Sequence, residues 1–271
     1  MPELPEVETT LRGITPFVVK QRIKTINIYN ASLRWPIDKV IVNELKNKIV
    51  LSTARRAKYL LLCFDNGTLI LHLGMSGSLH IVEQKTPLQK HDHFEMIFSN
   101  GKSLRLRDPR RFGAVLWTHD DWQAHKFLKS LGPEPFDEMF TAEHLHKKSR
   151  NKSIPIKSFI MDGHVVVGVG NIYASESLFL AGIHPTQAAK KISLRRFGIL
   201  VTAIKHILQL AIEQGGTTLK DFNSPEGKPG YFAQKLQVYG RKDLPCTTCK
   251  HPIKHRAINQ RASYYCTRCQ K

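Results

Sequence analysis

The sequence predicts an α+β protein of more than one domain: an N-terminal helix leading into a β-sandwich, a helical middle domain, and a zinc ribbon at the C-terminus. Three observations carry that reading. Short apolar and β-branched runs separated by turn residues fill positions 22–117, and hairpins in series argue a sandwich or barrel. From about 131 to 216 the apolar residues recur at helical spacing. Four of the five cysteines fall into two Cys-x2-Cys pairs near the C-terminus, a spacing used to hold metal.

Length and composition agree. A chain of 271 residues holds about two domains with ample core, and 41% hydrophobic with 23% charged residues is ordinary globular composition. No apolar run reaches the length of a membrane span. Acids stand at the N-terminus where a secretory signal would be basic then apolar, so the expectation is a cytoplasmic, bacterial-type protein. Lys and Arg number 41 against 22 Asp and Glu, a net charge of +19. The cations are spread along the chain, which suggests a basic face on a folded body and a polyanionic partner. Nucleic acid fits better than membrane, because no basic amphipathic anchor is present.

The chain opens Met1-Pro2-Glu3-Leu4-Pro5-Glu6-Val7-Glu8-Thr9. Pro and Glu suit a first helical turn, since Pro lacks a donor and Glu suits the dipole. The same residues also suit chemistry. Removal of Met1 leaves Pro2 as a secondary amine that can attack an electrophilic carbon and form an iminium. An α-amino group titrates near pH 8, so part of it is neutral at working pH. Glu3 and Glu6 lie one helical turn apart, where one could act as acid or base.

Strands are expected at 23–29, 49–54, 58–64, 68–73, 93–98 and 103–106, with turns at Asp65-Asn66-Gly67 and Ser99-Asn100-Gly101. Arg55-Arg56-Ala57-Lys58 opens one of these strands and could meet phosphates. The lone Cys63, inside an apolar run, reads as a buried core thiol. His72-Leu73-Gly74-Met75-Ser76-Gly77 suggests a tight loop presenting a flexible apolar side chain. Asp108-Pro109-Arg110-Arg111-Phe112-Gly113 is a second such tip, with cations beside a ring, the composition of a wedge that unstacks a duplex. His91 and His93 lie two apart on a strand and face the same way, but no third metal ligand is near in sequence.

Leu131-Gly132-Pro133-Glu134-Pro135 reads as a linker. Beyond it, Ile156, Phe159 and Ile160 form an apolar stripe. A long amphipathic helix runs over 192–212 and stops at Gly215-Gly216. In Gly168-Val169-Gly170-Asn171, glycines lead into a helix capped by Asn171 whose free N–H groups offer a phosphate site. Lys152 lies in a basic run. Residues 217–232 form a long Gly/Pro loop, of the kind that is functional or disordered. Cys246, Cys249, Cys266 and Cys269 supply a closed tetrahedral set with no open position, hence one structural Zn2+ per chain. Two disulfides are the alternative, which a reducing cytosol disfavours.

PELPEVETTLRGI, RRAKYLL, GVGNIYASE and the cysteine ribbon, in that order, resemble the bacterial formamidopyrimidine-DNA glycosylases, relatives of endonuclease VIII. The resemblance spans the chain. It implies three parts: a catalytic β-sandwich domain at 1–130, a helix-two-turn-helix domain at 131–232 with a lesion loop at 217–232, and a zinc ribbon at 233–271. It implies a monomeric base-excision repair enzyme that flips oxidised purines out of double-stranded DNA, excises them through a Schiff base on Pro2, and cleaves abasic sites by β,δ-elimination. Glu3 is then the general acid, Glu6 orders the site, and Lys58 and Arg261 donate protons. A guanidinium stays protonated in proteins, which suits Arg261 better as a phosphate clamp. DNA contacts fall on His72, Met75, His91, Arg110, Phe112, Lys152, Asn171, Tyr239 and Arg261. The protein would then sit on the nucleoid through its DNA. Two other readings stand beside this one: an endonuclease VIII-like enzyme for oxidised pyrimidines, whose chains begin PEGPE where Leu4 here gives PELPE, and a non-enzymatic zinc-ribbon DNA-binding protein.

Overall fold

In a computed structural model of the chain, residues 2–217 and 232–271 are described. Helix α1 (Leu4–Val18) takes Glu3 as its N-cap, and Pro5 falls in the first turn, where its missing N–H costs no helical bond. Val7, Leu11, Ile14 and Val18 recur at helical spacing and are buried.

Eight strands follow: β1 (Ile23–Ile28), β2 (Ser52–Arg56), β3 (Tyr59–Phe64), β4 (Gly67–His72), β5 (Ser78–Glu83), β6 (Asp92–Phe98), β7 (Lys102–Arg107) and β8 (Ala114–Thr118), with the short α2 (Val40–Leu45) between β1 and β2. They form two antiparallel sheets, ordered β1-β6-β7-β5 and β2-β3-β4-β8. Alternate residues supply one shared core. Leu60, Leu62, Leu69 and Leu71 from one sheet meet Phe94, Met96, Phe98, Leu104 and Leu106 from the other, with α1 joining the same cluster. That is the sandwich the sequence predicts. On β6 and β7 the buried Arg105 donates to Glu95 at 2.7 Å and to the carbonyls of Thr86 and Pro87, so its charge is both paired and hydrogen-bonded.

The helical region comprises α3 (Ala142–Ser149), α4 (Ile156–Ile160), α5 (Asn171–Leu180) and α6 (Leu194–Glu213). Ile156, Phe159 and Ile160 lie in its core with Phe197, Leu200, Ile204 and Leu208 of α6. Gly215 and Gly216, at φ 73° and 81°, end α6 in the left-handed backbone that favours glycine. The ribbon is the hairpin β9 (Lys254–Ile258) and β10 (Arg261–Tyr265). By contacts the chain divides into two compact units, Met1–Lys129 with Gln214–Tyr231, and Ser130–Glu213 with Phe232–Lys271.

Several expectations need correction. The strand placed at 49–54 is Ser52–Arg56, and Ala57-Lys58 form the two-residue turn between β2 and β3, so Lys58 sits on a hairpin tip and opens no strand. Ala57 takes φ 55° there. The strands β5 and β8 and the helix α2 lie where none was expected. Cys63 is only partly buried. Asn171 is the first helical residue and Gly170 is the cap. His91 precedes β6 with a left-handed φ of 73°, so the two histidines are not a strand pair. The proposed lesion loop falls almost wholly on residues 218–231, outside the described residues.

Candidate functional site

In the first unit the N-terminal residues are buried from Pro2 to Val7. A carboxylate buried this far needs partners, and Glu6 has them. Its Oε2 accepts from the Glu3 N–H at 2.9 Å, half of a capping box with Glu3. Its Oε1 accepts from both the N–H and the hydroxyl of Thr217, each at 2.9 Å. Gly216 permits this approach, because a Cβ there would stand 3.0 Å from Glu6 Oε1. Glu6 therefore orders the residues around Pro2 and Glu3.

Lys58 is tied to the same helix indirectly. The Arg55 guanidinium donates to Glu8 of α1 at 2.8 Å and to the carbonyl of Ala57 at 3.0 Å, which fixes the hairpin tip. Burial would raise the Glu8 pKa, but hydrogen bonds from Arg55 and Arg12 outweigh it and hold Glu8 below the usual carboxylate value. Across the hairpin, Tyr59 pairs with His72, and their rings lie 4.8 Å apart. Burial pushes the His72 pKa down to about 4, with the nearby Lys58 and Arg34 cations adding to it. His72 is thus neutral at working pH. Its Nδ1 accepts from the Gly74 N–H at 3.0 Å, which leaves Nε2 as the protonated donor.

The wedge candidates are together. Gly74, at φ 64°, packs so closely that a Cβ would stand 2.4 Å from the Phe112 carbonyl carbon. The Arg110 guanidinium lies 4.8 Å from the Phe112 ring centroid, a cation–π contact. Arg110 and Phe112 are exposed and Met75 is half-buried. His91 is next to this group, its carbonyl accepting from the Asp108 N–H at 3.0 Å.

In the second unit Asn171, Tyr239 and the Arg261 hairpin converge. Asn171 Nδ2 lies 3.4 Å from the Tyr239 hydroxyl. The buried Glu176 accepts from the N–H groups of Gln237, Val238 and Tyr239, which fixes that loop. Lys157 is 1% exposed. Its ammonium donates to Asn171 Oδ1 at 2.6 Å, the Ala262 carbonyl at 2.9 Å and Ser263 Oγ at 2.7 Å. One cation thus binds α4 to the start of α5 and to β10 beside Arg261. Arg261 itself is exposed, just past the Asn259-Gln260 turn, both of whose residues have positive φ. Lys152 is exposed on the loop after α3, its carbonyl accepting from the Lys190 N–H at 3.0 Å.

The four cysteine sulfurs lie within 4.8 Å of one another. Cys246 and Cys269 stand 3.8 Å apart, Cys249 and Cys266 3.4 Å. Thiolates about 2.3 Å from one tetrahedral centre sit about 3.8 Å apart, so the donor set and spacing fit a structural zinc. Among the described residues no other cluster of three metal-ligating side chains exists.

Sequence reasoning missed Glu8, Asp108, Lys157, Glu176 and Thr217. Each is an ordinary residue whose role depends on a distant partner. Glu8, Asp108, Glu176 and Thr217 lie inside stretches that the sequence marks, but nothing local there points to their partners.

Family models match nearly the whole chain: the formamidopyrimidine-DNA glycosylase N-terminal domain over residues 1–115, the H2TH domain of the same enzymes over 131–223, and the zinc finger found in FPG and IleRS over 243–271. A formamidopyrimidine-DNA glycosylase of Hydrogenovibrio crunogenus is 56% identical over 271 residues, covering 100% of this chain and 97% of that one. A solved complex of Lactococcus lactis Fpg with abasic-site DNA superposes at a TM-score of 0.92 with 33% identity, covering 99% of both chains. A complex of the same bacterium's enzyme with Fapy-dG-containing DNA gives 0.91 and 32%, covering 99% of this chain and 100% of that one. The chain belongs to the formamidopyrimidine-DNA glycosylase family.

Proposed function

We propose, from that membership and the order around Pro2, that the protein is a DNA glycosylase and abasic-site lyase of base-excision repair, acting on oxidised purines such as formamidopyrimidines and 8-oxoguanine. The observation that carries it is the buried Pro2–Glu3–Glu6 start, where the Glu6 carboxylate takes the Glu3 N–H on one oxygen and Thr217 on the other. A terminal amine held this way is prepaid in orientation. In a stacked duplex the sugar carbon is out of reach, so the nucleotide is flipped out. The Pro2 nitrogen bonds to C1′, the glycosidic bond breaks, and the base leaves with a proton that Glu3 supplies. The Pro2 nitrogen gives up its own proton, the C1′–O4′ bond opens with O4′ taking a proton, and the iminium so formed acidifies C2′. Loss of the C2′ proton expels the 3′ phosphate, a second elimination expels the 5′ phosphate, water hydrolyses the iminium to free Pro2, and a one-nucleotide gap remains.

The other site residues take supporting roles. Lys58, on its hairpin tip, is a proton donor in the eliminations. Arg261 clamps phosphate. His72 donates through Nε2. Asn171, Lys152, Tyr239 and His91 contact the DNA backbone, while Met75, Arg110 and Phe112 enter the duplex. The division at 1–130, 131–232 and 233–271 remains part of this proposal, as does monomeric action on the nucleoid.

The substrate class is tested by single-turnover cleavage of matched duplexes carrying formamidopyrimidine, 8-oxoguanine or thymine glycol. Faster action on both purine lesions is expected. Thymine glycol cleaved fastest would favour the pyrimidine-directed reading.

A further inference from the structure

We propose that Asp108 is a positioning residue that clamps the two loops carrying Met75, Arg110 and Phe112 into one rigid wedge, with Ser76 as its relay. The proposal rests on the reading of those three side chains as the group that enters the duplex.

Asp108 follows β7 and is fully buried. Both oxygens of its carboxylate are used, and each on a different loop. Oδ1 accepts from the Ser76 hydroxyl at 2.8 Å, in the loop of Met75. Oδ2 accepts from the Gly113 N–H at 2.7 Å, directly after Phe112. The Ser76 hydroxyl then accepts from the Arg110 N–H at 3.2 Å, so one oxygen joins the carboxylate to the backbone that presents the cation. The Asp108 backbone is held as well. Its N–H donates to the His91 carbonyl, and its own carbonyl accepts from the Arg111 N–H at 3.1 Å and lies 2.9 Å from His93 Nε2. Gly74 and Gly113 let the loops meet backbone to backbone, since a Cβ on Gly113 would stand 2.8 Å from the His72 carbonyl oxygen.

The contrast between base and tip gives the clamp its purpose. The carboxylate and Ser76 are buried, while Phe112 is 43% exposed and Arg110 lies open beside it. Opening a base step is resisted by the stacking that must be broken. A tip on hinged loops would yield to that resistance before the stack did. Hydrogen bonds to an ionised carboxylate are the stronger kind, and here they tie the two loops together at their root. Such a clamp acts only through the wedge, so its loss should matter only where the wedge works.

The test is stopped-flow eversion of a lesion in duplex DNA, read by a fluorescent base beside it, for Asp108→Asn, Ser76→Ala, Phe112→Ala and the Asp108→Asn/Phe112→Ala double variant. An amide at 108 replaces one of the two accepting oxygens with a donor, so one of the two loops loses its acceptor. Asp108→Asn should slow eversion about tenfold, and Ser76→Ala, which keeps the carboxylate, about threefold. Incision at a preformed abasic site, which has no base to evict, should fall much less, so the ratio of the two rates drops. The double variant should be no slower than Phe112→Ala within about twofold. Equal loss on both substrates, multiplicative loss in the double variant, or wild-type eversion in Ser76→Ala would each overturn the clamp. Normal eversion in Phe112→Ala would instead remove the wedge reading itself, and the clamp with it.

Discussion

His72 shows how a single side chain is set by its surroundings. Burial and neighbouring cations bring its pKa from the ordinary 6.5 to about 4. The folded state therefore binds fewer protons than the unfolded chain between those two values, and stability rises with pH across that window. The contribution is complete above the unfolded value and is lost as pH falls toward about 4. The melting temperature should drop less between pH 7 and pH 5 in His72→Gln than in the native protein. An unchanged pH dependence would place the ring in an ordinary solvated setting. At this scale the sequence was informative where chemistry is carried by local spacing: the two Cys-x2-Cys pairs, whose four sulfurs the fold brings within 4.8 Å of one another. It did not give the partners of Glu8, Asp108, Lys157 and Thr217. A buried Lys157 that donates to β10 across more than a hundred residues of sequence leaves no local pattern.

At the scale of elements, long periodic segments were readable and short ones were not. α6 has 20 residues and a clear apolar stripe, and the strands of the β3–β4 and β6–β7 hairpins are largely buried runs bounded by turn residues. α2 has only six residues, too few for a helical period. β5 and β8 adjoin the two loops that drew attention as tips, and their strand character was overshadowed by glycine and proline. The Asn-Gly signals did mark turns, although in the β3–β4 hairpin Asp65 and Asn66 form the turn and Gly67 already pairs with Phe64. The ribbon is where elements depend on one another most. Zinc holds the ends of β9 and β10, and β10 supplies the Ala262 carbonyl and Ser263 hydroxyl that Lys157 binds together with Asn171. In Cys249→Ser, zinc and DNA binding should be lost together, because zinc binding is folding free energy for so small a module. Amide exchange should rise in the first turn of α5 as well as in the ribbon. Exchange confined to the ribbon would show that Lys157 holds Asn171 without help from β10.

For the whole molecule, a net charge of +19 and the family assignment both point toward nucleic acid. The family is one of DNA glycosylases, which makes the chain an enzyme there, and the covalent route is the further claim. That rests on Pro2. Every described feature of the first unit near it, from the capping box to the Thr217 bonds of Glu6, is explained if the terminal amine must be held for attack. A glycosylase that used no covalent attack would leave these arrangements idle. Borohydride reduction in the presence of an abasic duplex decides between the two, since it converts an iminium into a stable amine. The account predicts one covalent protein–DNA adduct, mapped by mass spectrometry to the N-terminal peptide at Pro2, and no adduct when Met1 is retained. An adduct on Lys58, or full activity with Met1 in place, would contradict it.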